Sequence, residues 1–377
     1  MTIASCDRIA RVNDLNERWG IIGHAWAVDS LEHAIRTNRA AHAFLIAGPH
    51  SVGKTTLARA LAKRLLCMVN DSPVAQNDLL GDAAVTNEPP CGECRACVKN
   101  AKGVHPDVML LEGVPSRDFY NKNGSTAPPR KNDRERRTLL VDQMRDMEKW
   151  LSTSPFEASY KIGIVRRFED ANEEAQNAFL KTLEEPPSHA ILILTAPDAG
   201  LLLPTIVSRC QPLTLRPLSV ETVERALMEK WNANEANAHL LARISGGRLG
   251  WAVRALSAPN VLETRREALD ALSALVREGK AERIARAEKL AKDSSELPQM
   301  FETWQTWWRD ILLLSNEQSA RVTNVDYLNV LQEQAGIFSL EEIQRALNAT
   351  RNAARQVGQN VNARLVTEVL ALSLPRV

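Results

Sequence analysis

The sequence has no apolar run long enough to cross a membrane, which takes about 20 consecutive apolar residues. Its opening stretch, MTIASCDRIARVNDLNERWG, also lacks the apolar core and the small-residue cleavage site of a secretory signal. We therefore expect a soluble protein of the cytoplasm with no membrane partner. Because thiols stay reduced in that compartment, the six cysteines are not expected to form disulfides.

The sequence also lacks a large net charge, since 47 basic and 46 acidic residues leave a net charge of +1. Aromatic residues make up only 5% of the chain. Binding of nucleic acid by overall charge is therefore not indicated, although a local basic face could exist. The length of 377 residues and the apolar content of 44% predict a globular protein of about two or three domains.

The first part of the chain has the pattern of an α/β domain. Residues 43–47 form an apolar run, a glycine-containing loop follows, and Leu57, Leu61 and Leu65 then repeat at helical spacing. The apolar runs DVMLL, KIGIV and AILILT come later, separated by helix-like segments. This alternation predicts a parallel sheet flanked by helices.

Strand signals disappear after Pro217, and helical periodicity continues from there. We predict an α/β domain over 1–216, a small helical domain over 217–262 and a larger all-α domain over 263–377. Within the first domain, the polar and proline-rich stretch at 114–137 predicts a surface loop insertion.

Two features specify the last helical domain. Ser339 and Glu342 have the spacing of a capping box, and Phe338 and Ile343 that of the hydrophobic staple around it. The segment MFETWQTWWRDILLL places aromatic residues at helical spacing without interleaved basic residues. This pattern favours core or subunit packing over a platform for stacking nucleic-acid bases.

The stretch GPHSVGKT fits the phosphate-binding pattern G-x-x-x-x-G-K-[ST] between a predicted strand and a predicted helix. Backbone N–H groups would surround the β-phosphate, Lys54 would reach the β and γ oxygens, and the Thr55 hydroxyl would hold Mg²⁺. The alternative is a loop that keeps its turn but binds no nucleotide. The predicted nucleotide-binding residues are Gly48, Ser51, Val52, Gly53, Lys54, Thr55 and Thr56.

Two cations follow the apolar run KIGIV, where ATP hydrolysis needs carboxylates for Mg²⁺ and for the attacking water. Arg166 and Arg167 stand there, and Glu169 and Asp170 come later. Asp170, with Glu173 three residues on, is predicted to be the N-cap of the next helix. Since arginine stays protonated and only donates hydrogen bonds, we expect no hydrolysis here even if nucleotide binds.

The stretch PCGECRAC places three cysteines in C-x-x-C-x-x-C spacing, and Cys67 lies upstream of them. Four thiolates around one Zn²⁺ are predicted, and such a closed site is structural because it leaves no position for water. His105 is the alternative fourth ligand, and an iron–sulfur cluster is the less favoured alternative to zinc. The predicted ligands are Cys67, Cys91, Cys94 and Cys97.

The segment PTIVSRCQPL carries Arg209 between Ser208 and Cys210. An arginine in a loop is most often solvated or ion-paired at the surface. Its functional alternative is an arginine finger, which approaches the γ-phosphate of a nucleotide bound to a neighbouring subunit. Cys210 needs no zinc role.

Six segments together resemble the AAA+ subunits of the bacterial DNA polymerase III clamp loader, in particular the delta prime group. They stand in that family's order over most of the chain, and they are HAFLIAGPHSVGKTT, the cysteine cluster, GVHPDVMLLE, VDQMRDM, QNAFLKTLEEPP and LLLPTIVSRCQPL. The run NAFLKTLEEPP and the triplet around Arg209 are the most specific. The resemblance implies that the helical domains over 217–262 and 263–377 are the family's lid and collar.

The resemblance also implies what this chain has lost. Motor subunits of the family carry Asp-Glu at the positions of Arg166 and Arg167, and a lid arginine where SGGRLGWAV places Gly250, two residues after Arg248. A non-hydrolysing stator subunit is therefore implied. Its Arg209 acts in trans, while its own loop holds ATP and Mg²⁺ without hydrolysis or stays empty.

The implied partners are the gamma/tau ATPase subunits and the delta subunit and, through the complex, the sliding clamp and primer-template DNA. One alternative function is an active gamma/tau-like ATPase motor that uses Glu169 or Glu173 as a relocated base. A second is a DNA-binding module built on RKNDRERR at 130–137. Asp133 and Glu135 within that run favour a solvated loop instead.

Overall fold

The structure, a computed structural model, describes residues 16–71, 90–115, 137–258, 260–294, 296–359 and 361–377. Most of the predicted insertion at 114–137, including all of RKNDRERR except Arg137, lies outside these ranges. The described residues form two compact units, the first ending at Leu218 and the second beginning at Ser219. No helix within the described ranges is both long enough and apolar enough to cross a membrane.

The first unit is the predicted α/β domain. Its strands are β1 (Ala43–Ala47), β2 (Val108–Leu111), β3 (Val114–Pro115), β4 (Arg137–Thr138), β5 (Lys161–Val165), β6 (Ala190–Ala196) and β7 (Gln211–Thr214). Its helices are α1 (Ala25–Arg36), α2 (Lys54–Leu65), α3 (Arg95–Ala101), α4 (Val141–Ser152), α5 (Glu173–Glu184) and α6 (Pro204–Val207).

Five strands form a parallel sheet in the order β2-β5-β6-β1-β7, and β3 and β4 form a separate antiparallel pair. Every residue of β1, β5 and β6 is buried, as expected of central parallel strands covered on both faces. β7 tolerates Pro212 because it lies at the edge of the sheet. The parallel sheet confirms the predicted fold class.

Helices cover both faces of this sheet. Side chains alternate along β1, so that Phe44 packs with the core formed by α1 and α2 while Leu45 packs with the core that contains Phe179 of α5. All five strands run in one direction, so their carboxyl ends meet at one edge. That edge carries the loop after β1, which contains the predicted nucleotide-binding residues, and the loop after β5, which begins with Arg166.

The described residues of the second unit form helices and the turns that join them, with no strand among them. Its helices are α7 (Val220–Trp231), α8 (Glu235–Ile244), α9 (Leu249–Ser257), α10 (Asn260–Arg277), α11 (Lys280–Leu290), α12 (Leu297–Leu314), α13 (Leu328–Ile337), α14 (Leu340–Gly358) and α15 (Ala363–Ser373). The helical region after the sheet is thus confirmed. The predicted boundary near residue 262 stays a prediction.

Helix α12 carries the tryptophans and lies in the core of the second unit. Trp304 and Trp308 are fully buried, and Trp304 Nε1 donates to the Ala268 carbonyl of α10 at 2.6 Å. Trp307 Nε1 donates to the Gln334 side chain of α13 at 2.9 Å. These rings are core residues, as the sequence pattern predicted, so they offer no surface for stacking bases.

The capping box at the start of α14 is confirmed. Ser339 Oγ accepts from the Glu342 N–H at 3.3 Å, and the Glu342 carboxylate accepts from the Ser339 N–H at 2.9 Å. Phe338 and Ile343 are both buried, as a hydrophobic staple requires.

Candidate functional site

Two glycines shape the loop between β1 and α2. Gly48 has φ +145°, and a Cβ added there would lie 2.5 Å from the Leu215 carbonyl oxygen of the segment after β7. Gly53 has φ +111° and is the N-cap of α2. Only glycine adopts these conformations without strain, so the loop keeps the tight turn that a phosphate-binding loop needs.

Lys54 is the first residue of α2 and folds back over its own loop. Its Nζ donates to the carbonyl oxygens of Gly48 at 2.5 Å and Pro49 at 2.8 Å. Burial lowers the pKa of Lys54 to about 8, an effect that Glu169 opposes and Arg167 reinforces. Lys54 is therefore within electrostatic reach of the residues that follow β5.

His24 is a loop-supporting residue that the sequence analysis missed. It is the buried N-cap of α1, and its Nε2 lies 3.1 Å from the Val52 carbonyl oxygen inside the loop. Because a carbonyl only accepts, Nε2 must carry the proton, and burial lowers the pKa of His24 so that the ring is neutral near pH 7. A single histidine before a helix has no spacing signal that could have revealed this contact.

Both arginines after β5 are engaged in ion pairs with nearby carboxylates. Arg166 pairs with Glu112, which also accepts from Arg137 at 3.0 Å. Arg167 has φ +54°, and its Nε lies 2.9 Å from the Asp170 carboxylate. The end of β5 is therefore occupied by guanidinium groups that can neither bind Mg²⁺ nor accept a proton.

Glu169 is the carboxylate whose charge raises the pKa of Lys54, against the larger effect of burial. Both of its oxygens are buried and have no hydrogen-bond partner among the described residues, although the Arg167 Nε is 3.7 Å from one of them. Burial, followed by the neighbouring Asp170 charge, raises the pKa of Glu169. A buried carboxylate with a raised pKa beside a phosphate-binding lysine is the one feature here that could serve as a base.

The predicted N-cap was wrong. Asn172, not Asp170, caps α5, and its Oδ1 accepts from the Ala175 N–H at 2.9 Å. Asp170 instead ends a 3₁₀ turn over Phe168–Asp170 that separates β5 from the helix. The sequence pattern fits both registers, since Glu173 lies at N3 after Asp170, whereas Glu173 and Glu174 lie in the first turn after Asn172.

The four predicted cysteines converge, with all their sulfur atoms within 4.8 Å of one another. The Cys67 and Cys91 sulfurs are 3.6 Å apart, and those of Cys91 and Cys97 are 4.0 Å apart. Four thiolates at Zn–S distances of about 2.3 Å would stand about 3.8 Å apart, so the cluster fits one tetrahedral Zn²⁺. A hydrogen bond with Cys97 is the largest cause that lowers the pKa of Cys67, to about 5.

Local structure explains why these thiols meet. Cys67 lies just beyond the end of α2, and Cys94 is the N-cap of α3, where its sulfur accepts from the Cys97 N–H at 3.5 Å. His105, the alternative ligand, instead accepts from the Asp107 N–H at 3.1 Å and lies 3.7 Å from Glu157. Within the described ranges, the group of residues that could hold a metal ion consists of the four cysteines and does not include His105.

Arg209 follows the short helix α6 and lies partly exposed. Its Nη1 donates to the Thr205 carbonyl oxygen at 2.8 Å, and its Nη2 lies 2.5 Å from the Glu184 carboxylate. Cys210 next to it is buried in the core, and burial raises its pKa to about 12, so it stays a neutral thiol. It is not part of the metal-binding group.

Arg248 lies two residues before Gly250 in the sequence. It precedes α9, forms an ion pair with Glu302 of α12, and donates from Nε to the Ser245 carbonyl oxygen at 2.8 Å. Its guanidinium is thus bonded within the second unit.

Comparison with known proteins gives matches along most of the chain. A family profile described as "DNA polymerase III, delta subunit" matches residues 23–219, and one described as "DNA polymerase III, delta subunit, C terminal" matches residues 259–375. The DNA polymerase III subunit delta' of Pseudomonas aeruginosa is 31% identical over 315 residues, which cover 80% of this chain and 83% of that protein.

Two further relatives differ in how much of them is matched. The delta' subunit of Bacillus subtilis is 23% identical over 91% of this chain and 94% of that protein. The tau subunit of Escherichia coli is 30% identical over 61% of this chain but only 31% of that protein. The similarity therefore extends through nearly the whole length of the delta' relatives and through a minor part of the tau subunit.

Proposed function

Because the chain belongs to the delta prime family of DNA polymerase III clamp-loader subunits, we propose that it is a stator that hydrolyses no ATP itself. The observation that carries this proposal is the pairing of Arg166 with Glu112 and of Arg167 with Asp170 at the end of β5. A phosphoryl-transfer site needs carboxylates there to hold Mg²⁺ and to orient water. Guanidinium groups supply neither function.

The catalytic contribution of the chain is Arg209, which acts in trans on ATP bound to a neighbouring motor subunit. Its guanidinium lies at the surface after α6 with 33% of the side chain exposed, so it remains accessible to a partner. An arginine at the γ-phosphate stabilises the charge that develops in the transition state.

The chain's own loop is a passive nucleotide site. Its glycine conformations and the N–H groups of the first turn of α2, which have no acceptor within the helix, suit a phosphate. To bind it, Lys54 would have to leave the Gly48 and Pro49 carbonyls. The groups that would hold ATP are the backbone of residues 51–56 together with Gly48 and the Lys54 ammonium. The Thr55 hydroxyl would be the one protein ligand to Mg²⁺ in this set.

Zinc has a structural role in this proposal. The four thiols would hold it in a closed site, and the metal would fasten the end of α2 to the start of α3. The metal supplies rigidity and no chemistry, because no ligand position remains for water.

The proposed partners are the gamma/tau ATPase subunits and the delta subunit and, through the assembly, the sliding clamp and primer-template DNA. The similarity to subunits named delta', gamma and tau supports membership of one complex. Domains over 1–216, 217–262 and 263–377 would act as the nucleotide-binding domain, the lid and the collar.

A second candidate function is an ATPase motor, and Glu169 is the observation that favours it. This buried carboxylate has a raised pKa and lies within electrostatic reach of Lys54. It could accept a proton from water, but a motor would still lack the metal-binding carboxylate at Arg166.

ATP turnover separates the two candidates. The isolated chain is expected to show none, and the assembled complex is expected to have lower turnover with Arg209→Ala but to keep its turnover with Lys54→Ala. Turnover by the isolated chain that both Lys54→Ala and Glu169→Gln abolish would establish the motor instead. Full turnover of an Arg209→Ala complex would remove the finger.

A further inference from the structure

The Arg209 guanidinium is held on two sides by residues of its own chain. Nη1 donates to the Thr205 carbonyl oxygen at 2.8 Å, one helical turn earlier in α6, and lies 3.4 Å from Ser208 Oγ. Nη2 lies 2.5 Å from Glu184 Oε1, the last residue of α5. The contacts to Thr205 and Ser208 are local in sequence, whereas the contact to Glu184 joins the turn after α6 to the end of α5.

Helix α5 contacts the chain both before and after α6, through Gln176 near its own start and Glu184 at its own end. Near its start, Gln176 Oε1 accepts from the Leu203 N–H at 3.1 Å, while Gln176 Nε2 donates to the Ala171 carbonyl oxygen at 3.1 Å. At its end, Glu184 accepts from Arg209. The two points are about 12 Å apart along the helix axis, so α5 fixes both the entry to α6 and the side chain that follows it.

The base of Arg209 is also fixed by packing. Ile206 of α6 is fully buried, and Cys210 is 7% exposed in the same core. With the backbone anchored on both sides, the remaining freedom of Arg209 lies in its side-chain torsions. A long arginine side chain that is free to rotate loses conformational entropy when a partner orders it.

We propose that Glu184 is a positioning residue that sets the direction of the Arg209 guanidinium before a neighbouring subunit binds. This inference rests on the proposed trans-acting role of Arg209. Nη1 donates to Thr205 and Ser208 and Nη2 donates to Glu184, so the second N–H of Nη2 and the Nε–H stay available to a phosphate. A donor that is already oriented needs no reorganisation when charge develops on the γ-phosphate.

Glu184 also carries a charge opposite to that of Arg209, and the pair is partly exposed, at 33% and 49% of the two side chains. Solvent weakens such a pair, so the benefit is expected to be orientation more than binding strength. The phosphate of a bound nucleotide would compete with Glu184 for the Arg209 guanidinium. It can bind without breaking the Glu184 contact only through guanidinium N–H groups that Glu184 does not use.

The test measures ATP turnover of the assembled complex containing Glu184→Ala or Glu184→Gln. The adjacent Glu185→Gln is the matched control, since Glu185 takes no part in this pair and is exposed. Glu184→Ala is expected to lower kcat about three- to fivefold with little change in the KM for ATP. Glu184→Gln keeps an oxygen acceptor and is expected to restore part of the loss, while Glu185→Gln stays at the wild-type rate.

A double variant distinguishes positioning from general support of the fold. Glu184→Ala combined with Arg209→Ala should be no slower than Arg209→Ala alone, because Glu184 acts only through that guanidinium. Additive losses, or an unchanged kcat in Glu184→Ala while Arg209→Ala is slow, would overturn the positioning role. If Arg209→Ala itself has no effect, the trans-acting finger fails, which is a separate result. Unchanged thermal unfolding of Glu184→Gln checks that the helix remains folded.

Discussion

The Arg166 guanidinium forms an ion pair with the Glu112 carboxylate, so the residue after β5 is bonded to the residue after the neighbouring strand β2. The backbone reinforces this relation, because the Arg166 N–H donates to the Leu111 carbonyl oxygen at 2.9 Å. The edge of the sheet that would hold Mg²⁺ in an ATPase is thus occupied by the Arg166–Glu112 ion pair. A carboxylate cannot be restored at 166 without placing it against Glu112.

This arrangement predicts the effect of reversing the charge at position 166. Arg166→Asp would put two carboxylates side by side, and we expect it to lower the free energy of unfolding by about 1–2 kcal/mol. Arg166→Gln, which removes the charge without reversing it, should lower it by less than about 1 kcal/mol because the pair is partly exposed. Urea unfolding followed by circular dichroism measures both. Equal stability of the two variants would show that Glu112 is not paired in solution.

Two glycines give predictions of opposite sign, Gly48 in the loop after β1 and Gly336 in α13. Gly48→Ala would bring a Cβ to 2.5 Å from the Leu215 carbonyl oxygen at a φ of +145°, and we expect a loss of about 1–3 kcal/mol. Gly336→Ala lies within α13 with nothing inside 4 Å of the added carbon, and should gain about 0.5–1 kcal/mol. Thermal unfolding of both variants provides the comparison. A Gly48→Ala protein as stable as the wild type would contradict the close approach of the two segments.

The thiol cluster predicts about one equivalent of zinc per chain by metal analysis. Cys94→Ser should lose most of the metal, and a strong chelator should lower the unfolding temperature of the wild type, since bound metal stabilises the fold that binds it. Cys210→Ala is the control, because Cys210 is buried in the core and outside the cluster. Protein that is purified without metal and is unaffected by chelator would remove the zinc assignment.

The fold was predictable from the sequence wherever one local signal determined it. The apolar runs at Ala43–Ala47 and Lys161–Val165 coincide with β1 and β5, and the Ser339 cap starts α14 as expected. The spacing of Cys91, Cys94 and Cys97 also sufficed, because residues three apart in a turn or at a helix start lie close together. Cys67, 24 residues before Cys91, was predicted from the need for a fourth thiolate. In these cases the sequence-local pattern and the tertiary structure agree.

Contacts between distant segments could not be predicted in the same way. Arg166 pairs with Glu112, which is 54 residues away along the chain. Arg209 pairs with Glu184, which is 25 residues away. Charged residues occur in every surface segment, so which of them meet depends on strand order and helix placement. The Asp170 cap failed for a related reason, since a 3₁₀ turn delays the helix by a few residues and two polar residues compete for the same position.

Glu169 gives a pH-dependent prediction. Burial raises its pKa in the folded protein above the unfolded value, so the folded state favours the protonated carboxyl. The stability that Glu169 contributes is therefore complete below the unfolded pKa and is lost as pH rises through the raised folded pKa. Near neutral pH the ionised group is buried without a hydrogen-bond partner among the described residues, although Lys54 and Arg167 offset part of the penalty.

Replacing Glu169 by glutamine removes this ionisation. We expect Glu169→Gln to be more stable than the wild type at pH 8, by on the order of 1 kcal/mol, with the difference vanishing as pH falls towards 4. The exposed Glu229→Gln of α7 is the control and should change little over that range. Free energies of unfolding measured at several pH values in urea give the comparison. A gain that persists unchanged at pH 4 would mean that the glutamine amide stabilises the fold independently of the Glu169 charge, whereas a loss at pH 8 would mean that this charge is fully paired with Lys54 or Arg167.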